Sequence, residues 1–319
     1  MSLVLQVSVN PLQYVVNGVV YSSIIVLAAI GLSLVYSIAD FANFAHGDTM
    51  TVGAFGALAT AGVLKPMLGS AGIFGLPAWF FAALLVGMAL AAVVAIATDR
   101  IIYEPLKNTD AGSIELLITS IGVALSYRAL VYLSPLETGG TRYGVTRTGP
   151  IPAIQDALSV SVTPRKIAIV FIAFVLVVGL HLLLQYTTLG RKMRATADNP
   201  SLARVSGIRT REVTLAMWVI GAALAAAGGV FLGLETLVRP RMGFDILLVV
   251  FAAVILGGIG SVYGAMLGGF VIGMVHELTP LIFDTFGIPL SIDYAPAVAF
   301  LLMVAILLAR PSGIMGDAA

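Results

Sequence analysis

The sequence predicts an all-α polytopic membrane protein with about nine spanning helices, eight to ten allowing for boundary error. Three observations carry that expectation. Of its 319 residues 59% are hydrophobic and only 10% are charged. The mean hydropathy is +1.04. The apolar residues also gather in windows long enough to cross the hydrocarbon at 1.5 Å per residue. A soluble chain must show water a polar surface, whereas a bilayer-embedded one exposes apolar side chains and keeps its charges for loops and cavities.

Taken in order, the windows fall at 13–37, 44–64, 77–98, 113–133 and 166–187, and then at 213–237 and 294–310. Between the last two lies a Gly-rich stretch, 246–278, that reads as two segments broken at Gly257, Gly258 and Gly260. Such a break implies a tight turn or a re-entrant element that lines a pathway. No linker separates soluble domains, so residues 1–319 read as one transmembrane domain with two substantial stretches outside it, 134–165 and 190–211. The first is rich in Pro, Gly and Thr, too polar to span, and long enough to form a cap or docking surface. The N-terminus has no basic residue before its apolar run, which argues against a cleaved signal peptide. A faint echo between 46–63 and 260–275, a polar turn entering a helix of small residues, is compatible with an internal repeat or with chance.

The stretch 190–211 concentrates six of the 17 basic residues, among them Arg191 and Arg194, between two apolar runs. Charge alone is equally explained by a loop that only sets topology. Its interior, however, has the punctuation of a helix of about two turns. Asp198 or Asn199 can cap the first amides, Pro200 suits the first helical position, and Gly207 can take a left-handed stop. Ile208 then folds back on Leu202 or Ala203. Placing this stretch in the cytoplasm leaves the N-terminus and 134–165 outside and the C-terminus inside. It gives nine cytoplasmic Lys/Arg against seven external, with Arg128 in a span. Arg165 and Lys166 oppose that choice.

Glycine pairs four apart, Gly229 with Gly233, Gly264 with Gly268 and Gly269 with Gly273, predict close helix packing, chiefly within the subunit, with room for a substrate at an intersubunit seam as the alternative. Ionisable groups in apolar runs are functional candidates by default. Glu115, Asp245, His276 and Glu277 read as interfacial, Glu235 lies deeper, and Arg128 is expected to snorkel outward beside Tyr127 and Tyr132 in preference to a substrate role. No two acids or histidines share a span at helical spacing, so a proton relay has little material. With no cysteine and three scattered histidines, a metal site is not expected. The net charge of +1 argues for no nucleic-acid partner. After the first span comes DFANFAHGD, where Asn43, His46 and Asp48 bring hydrogen-bonding groups to a turn, or where Asn43 or Asp48 simply caps the next helix.

Three stretches together resemble the permease subunits of ATP-binding-cassette (ABC) importers for branched-chain amino acids. They are GLSLVYSIADFANFAHGD at 31–48, RKMRATADNPSLARVSGI at 191–208 and AAVILGGIGSVYGAMLGGFVIG at 252–273. The likeness is closest to the subunit type with an NFAHG turn, here 43–47, and a GGIGS turn, here 257–261. The resemblance implies an importer permease fold whose cytoplasmic loop carries a coupling helix. Arg191, Arg194, Asn199, Pro200, Leu202, Ala203 and Gly207 fall on it, while Asn43, His46, Asp48, Gly257, Gly258 and Gly260 fall on the pathway or its gate. It also implies partners: a second related permease, two cytoplasmic ATPases and an extracytoplasmic binding protein, all about a multi-pass chain of the inner membrane. The chain itself has no G-x-x-x-x-G-K-[ST] phosphate loop, so it reads as a transporter and not an enzyme, needing no cofactor. Related permeases carry urea, amides or other amino acids; the other classes are an ion-coupled secondary transporter and a membrane enzyme, for which the sequence offers neither an ion site nor a nucleophile–base pair or metal cluster at membrane depth.

Overall fold

The computed structural model describes residues 10–69, 71–109, 111–136, 140–146, 148–287 and 292–316. The reading of the first nine residues, and part of that of 134–165, lies outside them. The central element is α1, Pro11–Ala39, whose entry is fixed by the Asn10 side chain accepting from the Leu12 amide and by proline in the first turn. From Ile24 to Val35 it is buried on every side, as a helix apolar all round must be. Against it lie α10 (Thr210–Glu235), α11 (Met242–Gly257), α12 (Val262–Thr285) and α7 (Pro164–Tyr186). The α1–α12 contact is a small-residue seam of the expected kind. A Cβ added at Gly273 would sit 2.5 Å from the Ser22 Cα, so the backbones touch there.

The second layer is α2 (Ala45–Leu68), α3 (Ala78–Thr98) and α5 (Ser113–Tyr132), with a two-stranded hairpin, β1 (Gly72–Ile73) and β2 (Leu76–Pro77), between α2 and α3. The sequence ended the third span at residue 98. The helix instead continues through a π turn, Asp99–Tyr103, and α4, Glu104–Lys107, to make one apolar rod of 30 residues. The remaining helices are α6 (Pro152–Leu158), α8 (Thr188–Asp198), α9 (Pro200–Val205) and α13 (Ala295–Ala309).

Among the described residues seven helices are long and apolar enough to cross a membrane. Two further apolar helices, α11 and α13, have 16 and 15 residues and are too short to do so alone. The cause for α11 is that it starts inside the bundle. Gly243, in its first turn, donates its amide to Thr51 Oγ1 (3.1 Å) and abuts Gly47, while Met50, one turn away on α2, abuts Gly229 of α10. Gly229 lies six residues before the end of α10 at Glu235, about 9 Å along the axis. After α10 the chain therefore turns back inward before α11 begins.

The same happens at the other end of the bundle. Asp40 closes α1 in a left-handed conformation, and 41–44 run back along it. His46, seven residues past Ala39, donates Nε2–H to the carbonyl of Ala28 (2.9 Å), eleven residues before Ala39. Eleven helical residues are about 16 Å, so α2 also starts well inside the protein.

The break at 257–260 is a tight turn. Gly258 holds φ +107°, which a side chain rarely permits, and Ser261 caps α12 by accepting from the Gly264 amide (3.0 Å). The C-terminal tail then closes the end of α11, with the amides of Ile314 and Met315 donating to the carbonyls of Leu256 and Gly257 (both 2.9 Å).

Candidate functional site

The two inset helix starts meet. Gly47 and Gly243 let the first turns of α2 and α11 touch backbone to backbone, Phe44 lies against Phe251 (centroids 4.9 Å apart), and the amide of Phe44 donates to Ser120 of α5 (2.9 Å). Asn43 caps from one residue outside the helix, its Oδ1 accepting from the Ala45 amide (3.0 Å) and from the Tyr103 hydroxyl (3.4 Å). Asp48 caps nothing. Its carboxylate takes a two-pronged grip from Arg128 of α5, through Nε to Oδ1 (3.1 Å) and Nη2 to Oδ2 (2.9 Å). The guanidinium also lies 4.2 Å over the Phe244 ring. Asp48 is 1% exposed and Arg128 14%.

Two expectations are corrected here. Arg128 does not snorkel outward, because the inward run of 41–44 carries a carboxylate to its depth, and a fork-shaped cation beside a planar anion gains more from two charge-assisted bonds. Asp245 is not at a helix end facing headgroups, since the first turn of α11 is inset with it. His276 and Glu277 also lie inside α12, nine and eight residues before its end at Thr285, with His276 stacked on Tyr21 (centroids 4.4 Å) and 3.5 Å from Glu277. Glu235 pairs with Arg165 (3.2 Å).

At the end of the molecule where α1 finishes, the basic stretch forms an elbow of two helices. The punctuation of α9 is as expected: Asn199 Oδ1 accepts from the Leu202 amide (2.8 Å), Pro200 opens the helix, and Gly207 stops it at φ +81°. Ile208 folds back through its amide onto the Ala203 carbonyl (3.0 Å). Missing from the sequence reading was α8, capped by Thr187 on the Gly190 amide (3.0 Å) and seated by Gly190, Met193 and Thr196. It carries Arg191, exposed, and Arg194, which donates to the Leu184 carbonyl. Lys192 and Arg209 both bridge to Glu212 at the start of α10 (3.4 and 2.9 Å). Ala203 faces inward at 3% exposure, so the surface of α9 is presented by Leu202 (62%) and by Val205 (87%), which sequence reasoning had not singled out.

The six pathway candidates therefore divide. Asn43, His46 and Asp48 come together at the inset starts. Gly257, Gly258 and Gly260 do not join them: Gly260 lines a cleft of about 220 Å³ with Arg194, Asp198 and Tyr263, beside the elbow.

Comparison with known proteins fits this architecture. Residues 14–307 match the family described as branched-chain amino acid transport system / permease component. The chain belongs to this family. It is 31% identical over 306 residues to the Escherichia coli K12 high-affinity branched-chain amino acid transport system permease protein LivH, covering 96% of this chain and 95% of that one. To the corresponding Pseudomonas aeruginosa protein, BraD, it is 32% identical over 307 residues, with the same coverage. A more distant relative, the autoinducer 2 import system permease protein LsrC of Yersinia pseudotuberculosis, is 29% identical over 268 residues, 82% of this chain and 68% of that one. As a member of the permease family with seven span-length helices among its described residues, the chain is a multi-pass protein of the inner membrane.

Proposed function

We propose that this chain is one of two permease subunits of an ABC importer that carries leucine, isoleucine and valine across the cytoplasmic membrane by alternating access. The observation that carries the proposal is the α8–α9 elbow. A capped, six-residue helix with a left-handed glycine stop offers Leu202 and Val205 to solvent amid Arg191, Arg204 and Arg209. Exposed apolar side chains on a short, rigid, basic knob suit a groove on a soluble partner better than a loop that only sets topology. The partners are a second, related permease, two cytoplasmic ATPases and an extracytoplasmic binding protein.

The chain has no phosphate loop of its own, so the power stroke is borrowed. ATP binding closes the ATPase pair and draws the elbows of the two permeases together. In this chain the pull passes through the Arg194–Gly260 cleft to α12 and α11, and the pathway opens to the loaded binding protein. Hydrolysis resets it. The names of the LivH and BraD relatives support the cargo, and the autoinducer-importing relative makes cargo the point to measure.

A photoreactive residue in place of Val205, in membranes holding the whole assembly, should cross-link to the ATPase and to nothing on the extracytoplasmic side. Cross-linking to the binding protein, or reaction only with reagents outside the cell, would reverse the orientation and remove the coupling role.

A further inference from the structure

The outward faces of the spans are not alike. Among the described residues, those of α3, α7 and α13 present only apolar side chains at mid-length, such as Leu85, Val93, Phe171, Phe174, Leu301 and Val304, which suit lipid tails. The α5–α11 face is apolar too, with Ile121, Leu125, Phe244 and Leu248 exposed, but two charged groups are set into it. One is Arg128, locked from behind by Asp48 through Nε and Nη2, so that Nη1 is left on the other edge of the fork. The other is Asp245, exposed in the first turn of α11 beside Phe244 and within electrostatic reach of Asp48. Among the described residues it forms no salt bridge.

A charged face at this depth is costly against lipid and must meet protein or water. A zwitterion entering a low-dielectric path needs a counter-charge at each end. Resting on the transport reading above, we propose that Arg128 and Asp245 form a transit subsite for an amino-acid zwitterion on the wall of the pathway. Arg128 takes the α-carboxylate, Asp245 takes the α-ammonium, and the aliphatic side chain lies on Phe244 and Leu248. The competing role for Asp245 is purely structural, a first-turn acid that favours the start of α11.

The test uses the full assembly in proteoliposomes with its binding protein. Asp245→Asn should keep the stimulation of ATP hydrolysis by loaded binding protein yet lose at least tenfold in leucine uptake, and Asp245→Glu should recover most of it. Because the chain has no cysteine, Leu248→Cys gives a single label site on this subunit, read on its own band after the subunits are separated. It should react with a water-soluble methanethiosulfonate, more slowly while leucine is being transported. Wild-type uptake by Asp245→Asn overturns the subsite alone, as does labelling of Leu248→Cys only by lipid-soluble maleimides. Loss of uptake and ATPase stimulation together, unrescued by glutamate, assigns Asp245 to the helix start and also overturns it. Absence of uptake in the wild-type assembly overturns the transport reading itself, and the subsite with it.

Discussion

Gly243→Ala should separate the two inset helix starts. The added Cβ would lie 1.9 Å from the Gly47 carbonyl oxygen and 2.7 Å from Thr51 Oγ1, whereas ordinary contact begins at 3.4 Å. The difference, 3.4 minus 1.9, requires a shift of about 1.5 Å between two backbones, neither of which ends in a flexible side chain. Overpacking of this kind costs about 1–3 kcal/mol. A shift that large also stretches the 3.1 Å bond from the Gly243 amide to Thr51 beyond hydrogen-bonding range, adding about 1 kcal/mol. Together they come to about 2–4 kcal/mol, the sum of those two ranges. The matched control is Gly122→Ala on α5, where no heavy atom lies within 4 Å of the new Cβ and helix propensity favours alanine by about 1 kcal/mol. In detergent, Gly243→Ala should lower the midpoint of thermal inactivation well below wild type while Gly122→Ala leaves it level or raises it. Equal midpoints for the two variants would refute the backbone contact on which the site is built.

Three further outcomes are expected. Gly207→Val meets no neighbour but forces a β-branched residue to φ +81°, so it should leave insertion and thermal stability intact while cutting ATPase association and uptake together, both read in the reconstituted assembly. Asp48→Asn leaves the Arg128 guanidinium without its counter-ion and should destabilise by on the order of 3 kcal/mol, whereas Asp48→Asn with Arg128→Met should recover much of the thermal midpoint; a double variant no better than the single would deny the pairing. Single cysteines at Ser201 and Thr141 should label with impermeant reagents from opposite sides of the membrane, Ser201 from the cytoplasm, and labelling of both from one side would overturn the orientation.

Much of this was legible in the sequence because it is local. Asn199, Pro200 and Gly207 act on backbone groups within a few residues of themselves, so spacing alone located α9. The apolar windows likewise located the nine apolar helices among the described residues, though only seven of these are long enough to span where nine spans are expected, and they marked the turn at Gly258. What composition could not give is depth. The residues of 41–44 and 236–241 do not reveal whether they end at the headgroups or run back inward, so both inset starts were missed, and Asp245 was assigned to the wrong environment. Arg128 and Asp48 are 80 residues apart, beyond any periodicity. The signal that could have paired them was their shared improbability, an acid and a base each stranded in an apolar run. The helix α8 escaped although its signal is present, because Leu189, Gly190, Met193 and Thr196 form a narrow inward face at helical spacing within an otherwise polar, basic run.

The most direct measurement is leucine accumulation in proteoliposomes that hold this chain, its partner permease and both ATPases, with binding protein outside and ATP trapped within. Uptake against a gradient should require ATP and binding protein together, and should persist when proton and sodium gradients are collapsed. Accumulation driven by either ion gradient without ATP would contradict it, making this chain a secondary transporter and the α8–α9 elbow a cluster of topogenic charge.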